Sequence, residues 1–130
     1  MRIPKQDIPA KIDIPGAKAR VQTDFGDATG YSKMNGEYFS LGKGADIGPL
    51  LQGLEHNLCQ CPHWGHIING SLTVTYGDGT EETVTTNDLF YWPPGHTIVA
   101  NEDTDLVLFS PQKEHCLVMD HMLDKLAQSQ

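Results

Sequence analysis

From about residue 36 to 111 the chain repeats one pattern, a strand-length run of apolar and β-branched residues followed by a turn. The runs fall at 38–41, 66–68, 72–76, 82–86, 89–92, 97–100 and 106–109. Short runs at this regular spacing predict an all-β sandwich or barrel. Leu72, Val74 and Tyr76 alternate with Ser71, Thr73 and Thr75, the period of a strand with one buried and one wet face. Asn69-Gly70 and Asp78-Gly79 lie between such runs. Both dipeptides accept the positive φ of a tight turn, so two consecutive hairpins joining three strands are expected. Past Phe109 the period changes. Val118, Met122 and Leu126 recur at i+4 beside Met119 and Leu123, and Ser110 precedes Pro111 as an N-cap, which predicts one amphipathic helix over about 111–127. Residues 1–30 are rich in Pro, Gly and Asp, with apolar islands at 12–14 and 19–21. They read as an arm with at most two edge strands.

Composition narrows the setting. A chain of 130 residues fits one domain over 1–130, with a core barrel at about 36–111, large enough to bury a core without staples. Seventeen acidic residues against nine basic give a formal charge of −8, which argues against nucleic acid or an anionic membrane as a partner. The first ten residues lack the apolar core of a signal peptide, and no apolar run spans a bilayer, so the expected compartment is the cytoplasm. Three cysteines without an export signal argue against a disulfide framework. Cys59 and Cys61 are then thiols available for a metal, redox chemistry or packing.

The candidate chemistry lies in Cys59-Gln60-Cys61-Pro62-His63-Trp64-Gly65-His66. If this segment is extended, Cys59, Cys61 and His63, spaced by two, project to one side. His96, in Pro93-Pro94-Gly95-His96, would complete a Cys2His2 shell of the kind that suits tetrahedral zinc. A shell lacking one of these ligands would leave an open position for iron or copper. Two facts weigh against the shell: Pro62 bends the segment, and free cysteines are commonly just small buried hydrophobes. His66 has the opposite parity from His63 and is assigned to the surface, and His56 is a second-choice ligand. His115, Cys116 and His121 are assigned to helix packing or solvent. Trp64, Tyr91 and Trp92 are core or rim residues or, in the sharper reading, the aromatic wall of a small-molecule pocket. The acidic residues at 81, 82, 102, 103 and 105 form a solvated rim, and no carboxylate pair stands out as general acid and base.

With these residues in view, the stretch from about 56 to 111 resembles the conserved barrel of the cupin family. Gly70 matches the glycine that closes the first cupin motif, Asn87-Asp88 stands where Gly-Asp is usual, and Pro93-Pro94-Gly95 matches the P-x-G element. The wording CPHWG and PPGH is similar to that of a group of small single-domain cupins. The ligand positions depart from the family pattern. Seven residues before Gly70 stands His63, where a Glu is usual; the H-x-H pair falls on Asn57 and Cys59, or on His56 and Leu58; and the fourth ligand position is Ile98, two residues after His96. The resemblance implies an antiparallel cupin-type barrel (jelly roll) with a C-terminal helix, a homodimer, and a divalent transition metal in the barrel. Zinc is favoured, with iron, manganese or copper as alternatives. Two functions follow: a metal-dependent enzyme of dioxygenase, isomerase or lyase type acting on a small organic molecule, or a non-catalytic module that binds a small ligand with a structural metal or none.

Overall fold

A computed structural model describes residues 1–26, 28 and 30–129, and in it most of the alternating runs become strands longer than expected. They are β1 (Ala10–Ile14), β2 (Ala17–Gln22), β3 (Met34–Leu41), β4 (His63–Asn69), β5 (Ser71–Tyr76), β6 (Glu81–Thr85), β7 (Leu89–Trp92), β8 (His96–Ala100) and β9 (Thr104–Pro111). A single turn of helix, α1 (Gly48–Leu51), follows β3, and α2 (Gln112–Gln128) ends the chain. Every ladder is antiparallel, in a six-stranded sheet of order β1-β2-β3-β9-β4-β7 and a three-stranded sheet of order β6-β5-β8. The two islands of the N-terminal arm are the β1–β2 hairpin, added to the barrel at β3. No helix among the described residues is long and apolar enough to cross a membrane.

One of the two expected hairpins is absent. Asp78-Gly79 does join paired strands: β5 pairs with β6, and the Tyr76 N–H donates to the Thr80 carbonyl at 2.9 Å. Asn69-Gly70 instead turns the corner between sheets, because β4 belongs to the larger sheet and β5 to the smaller. Gly70 has φ 111°, and a Cβ there would sit 2.6 Å from the Asp103 carbonyl oxygen. Positive φ and close approach both demand glycine here. The same dipeptide chemistry serves a hairpin and a corner, which is why the sequence alone misassigned it.

The two sheets close on Ile67, Leu72, Val74, Trp92, Ile98, Leu106 and Leu108. A second apolar cluster, with Ile12, Val21, Leu51, Cys59 and Cys61, lies against α2, which buries His115, Val118, Met119 and Met122. That i, i+3, i+4, i+7 stripe is the expected amphipathic face. The helix begins later than expected, with Pro111 at the N-cap and no side-chain cap. Ser110 is not a cap. Pairing of β3 with β9 continues to Met34↔Pro111, so Ser110 is still in the strand, and its side chain, fully buried, points into the barrel.

Candidate metal centre

Strand parity and register bring a group of polar side chains to one end of this apolar barrel. Asn35 and Glu37 at the start of β3, His63 at the start of β4, His96 at the start of β8 and Ser110 near the end of β9 are all buried. Asn35 lies opposite Ser110 and His63 opposite Trp92, while Cys59 forms an isolated antiparallel bridge to His96. His96 and Ile98 share one face of β8. The imidazole therefore reaches the interior from two residues before the usual cupin position.

The hydrogen bonds fix which nitrogens are free. Ser110 Oγ donates to Glu37 Oε1 at 3.0 Å, and a hydroxyl has only one hydrogen. The oxygen must then accept from His63 Nδ1–H, 2.6 Å away. That leaves the lone pair of His63 on Nε2, which faces Cys59 Sγ at 3.6 Å. His96 Nδ1–H donates to the Pro93 carbonyl at 2.7 Å, so its lone pair is also on Nε2. Cys59, His63 and His96 each offer one ligand atom, and these atoms lie within 4.8 Å of one another. An imidazole whose far nitrogen is held by a hydrogen bond is oriented to ligate a metal.

Beside this trio is a second buried group. His115 Nε2–H donates to Glu37 Oε1 at 2.8 Å, and Asn35 Nδ2 donates to His115 Nδ1 at 3.0 Å. Glu37, His63 and His115 also offer atoms within 4.8 Å of one another. Glu37 Oε2, Asn35 Oδ1 and Trp92 Nε1 are buried without a hydrogen-bond partner among the described residues. Buried polar atoms are rarely left so. Unpaired atoms beside two free imidazole lone pairs and a thiol fit a bound metal and its ligand. The cavity lined by Cys59, His63, His96, His115 and Trp92 measures about 40 Å³, with Val118, Met119 and Met122 of α2 forming part of its wall.

Of the four sequence-predicted ligands, Cys59, His63 and His96 converge and Cys61 does not. Pro62 breaks the period-two projection, and Cys61 Sγ turns to donate to the Pro62 carbonyl at 3.4 Å, within the cluster beneath α2. Of the three pocket aromatics, only Trp92 lines the interior cavity. Trp64 and Tyr91 point outward from adjacent strands and stack at 5.1 Å on the outer face, with Tyr91 also lining an open surface groove. His56 is exposed, with φ 55°, and His66 is half-buried on the outer side of β4. Sequence reasoning missed Glu37, Ser110, Asn35 and His115. Counting back by two from Leu41 and Phe39 reaches Glu37 and Asn35, and counting on by two from Leu108 reaches Ser110. Strand parity carries that signal, but the run at 38–41 starts too late to include Asn35 and Glu37, and the run at 106–109 stops one residue before Ser110.

Without a metal, the environment favours the neutral forms of Cys59, His63 and His96. Burial, then the neighbouring imidazoles of His96 and His115, hold His63 well below the ordinary value of 6.5, and burial lowers His96 as well. Burial pushes the Cys59 thiol up to about 11 and raises Cys61 further. Below pH 6.5 the unfolded chain therefore takes up protons on both imidazoles that the fold refuses. Above the usual thiol value of 9.0 the unfolded chain loses thiol protons that the fold keeps. Metal-free protein should be most stable between these values. On the acid side it should lose about 1 kcal/mol per pH unit for each imidazole. Urea midpoints measured from pH 4 to 10 check this; a midpoint that still rises as pH falls below 6 would contradict it.

No family model and no curated protein matches the sequence. Solved structures do match the fold. A variant of oxalate decarboxylase from Bacillus subtilis aligns at 23% identity and a TM-score of 0.60, covering 82% of this chain and 28% of that one. A Lactobacillus farciminis oxalate decarboxylase in complex with formate aligns at 19% identity and a TM-score of 0.58, covering 82% of this chain and 31% of that one. The chain thus spans under a third of the decarboxylases it matches. An RmlC-like cupin from Shewanella frigidimarina aligns at 19% identity and a TM-score of 0.57, covering 85% of this chain and 90% of that one. These likenesses, with the strand order above, make the fold a cupin-type antiparallel β-barrel with a C-terminal helix.

Proposed function

We propose that this chain is a small metal-binding cupin-fold protein in which Cys59, His63 and His96 hold a divalent transition metal, and that the space beside them receives a small molecule. The observation that carries this reading is the convergence of three ligand atoms within 4.8 Å while the far nitrogens of both imidazoles are held by Ser110 and Pro93. A bound divalent ion would supply Lewis-acid polarisation of a ligand oxygen or nitrogen. The chain's own residues do the rest. Glu37, through Ser110, keeps the His63 hydrogen on Nδ1. The Pro93 carbonyl does the same for His96. The apolar stripe of α2 excludes water, and the Glu37–His115 pair holds a proton between Oε1 and Nε2 beside the site. Three protein donors favour an open coordination position, and so a ligand-binding or catalytic role over a purely structural one. The preference for zinc rested on two thiolates. One thiolate and two imidazoles suit zinc, iron and copper alike, so zinc no longer leads.

Elemental analysis of protein purified without added metal tests the reading. About one metal per chain is expected in the parent and in Cys61→Ser, with most of it lost in Cys59→Ser. Full retention in Cys59→Ser, or no metal in the parent, overturns it.

The proposed partner is a second copy of the chain. Tyr91, Trp64 and Phe109 lie side by side across β7, β4 and β9 on the outer face, with Ile68 and Leu89, the latter 83% exposed. β7 is also a sheet edge. On a chain of charge −8 this patch carries no charged residue, so like-charged copies can meet here without opposing carboxylates. Light scattering on the eluting protein should give twice the chain mass, and Trp64→Glu with Leu89→Glu should return it to the single-chain mass with its melting curve intact. A parent that elutes as a single chain at about 100 μM refutes the pairing.

A further inference from the structure

We infer that the barrel cavity takes a ligand of two or three non-hydrogen atoms with a hydrogen-bond acceptor at each end, one for the metal and one for the Trp92 indole. This rests on the metal reading above and adds size, polarity and a positioning residue to it. Size follows from volume. One water needs roughly 10–15 Å³ of such space, so a cavity of about 40 Å³ holds an ion and two further water-sized places. Two or three covalently linked atoms fill those places; four or more require α2 to move.

Polarity follows from the donors and acceptors that line the cavity. Its walls are otherwise apolar, with Phe39, Ile47, Leu51, Ile98 and Leu108 among them. The N–H groups of three lining imidazoles are committed: His63 to Ser110, His96 to Pro93 and His115 to Glu37. Trp92 is the exception. It is 1% exposed, its ring centroid lies 5.7 Å from that of His96 and 6.1 Å from that of His63, and its Nε1–H has no partner. Among the residues that line the cavity the free lone pairs face the metal position, and the unpaired oxygens of Glu37 and Asn35 belong to residues outside that lining, so an amine or alcohol held there would bring hydrogens with nothing to accept them, at the full cost of burying an unpaired donor. A ligand with acceptors at both ends brings no unpaired donor of its own and also satisfies the indole. Small linear or bent anions such as azide and nitrite have this form.

The test uses azide on metal-loaded protein, with two readouts besides activity. In cobalt-loaded protein the visible bands should shift on saturable addition of azide, and nitrite should do the same. Acetate and oxalate, which are larger, should bind at least tenfold more weakly. Trp92→Phe should weaken azide about tenfold, the worth of one hydrogen bond, whereas Trp64→Phe should not. Because these are the chain's two tryptophans, zinc-loaded protein labelled with nitrogen-15 gives two indole N–H signals. Azide should move that of Trp92 and leave that of exposed Trp64 in place, a readout that does not depend on the variant folding. Oxalate binding as tightly as azide overturns the size limit, and an unmoved Trp92 signal at saturating azide overturns the role of the indole. Failure to load cobalt at all instead overturns the metal reading, so the two failures are distinguishable.

Discussion

His115→Leu is expected to destabilise the fold by about 3–5 kcal/mol, the usual cost of leaving a buried carboxylate without its partner. The reason is what it leaves behind. Glu37 and His115 are almost wholly buried, and their contact is 2.8 Å. Without the imidazole, the carboxylate keeps only Ser110 as a donor, and Asn35 Nδ2 loses its acceptor. For a domain of this size the loss corresponds to a fall in Tm of roughly 10–20 °C. The double variant Glu37→Leu with His115→Leu should recover most of it, because a buried pair replaced by apolar groups leaves no orphan charge. Thermal and urea unfolding of the two single variants and the double measures the coupling. A loss below about 1 kcal/mol for His115→Leu would mean that the pair does not hold α2 to the barrel.

His63→Ala is expected to have the largest effect on the metal. His63 is the one residue common to both ligand groups, and its Nδ1 contact with Ser110 ties the trio to Glu37. Losing an orienting partner of a ligand typically costs 10–100-fold in metal affinity, and losing the ligand itself should cost more. Metal content should fall below about a tenth of an equivalent, while far-ultraviolet circular dichroism stays that of a β-barrel. His66→Ala, three residues along the same strand but on the outer side, serves as the control and should keep its metal. Full occupancy in His63→Ala would place the metal elsewhere. A matching loss in His66→Ala would show that the strand, not the ligand, had been damaged.

These two histidines mark how far the sequence places the site. His63 was legible as a candidate because strand parity puts it on one side with Cys59 and the family resemblance puts a ligand position seven residues before Gly70. His115 was not. It lies on a helix that the sequence places only as an amphipathic segment, and its partners Asn35 and Glu37 come from a strand about eighty residues earlier. Cys61 shows the opposite failure. Its spacing from Cys59 and His63 satisfies period two, but one proline turns its sulfur away, and spacing carries no information about a local bend.

Local periodicity by itself determined the strands, the terminal helix with its apolar stripe, and the shared parity of Cys59 with His63 and of His96 with Ile98, because period two and period 3.6 are properties of the backbone that each residue samples on its own. Only the tertiary structure decided that Asn69-Gly70 is a corner, that Ser110 is a bridge to Glu37 rather than a cap, and that α2 inserts His115 beside the site. Those outcomes depend on which strands pair and on what closes the barrel. Such long-range contacts become favourable only when buried polar groups distant in sequence satisfy one another.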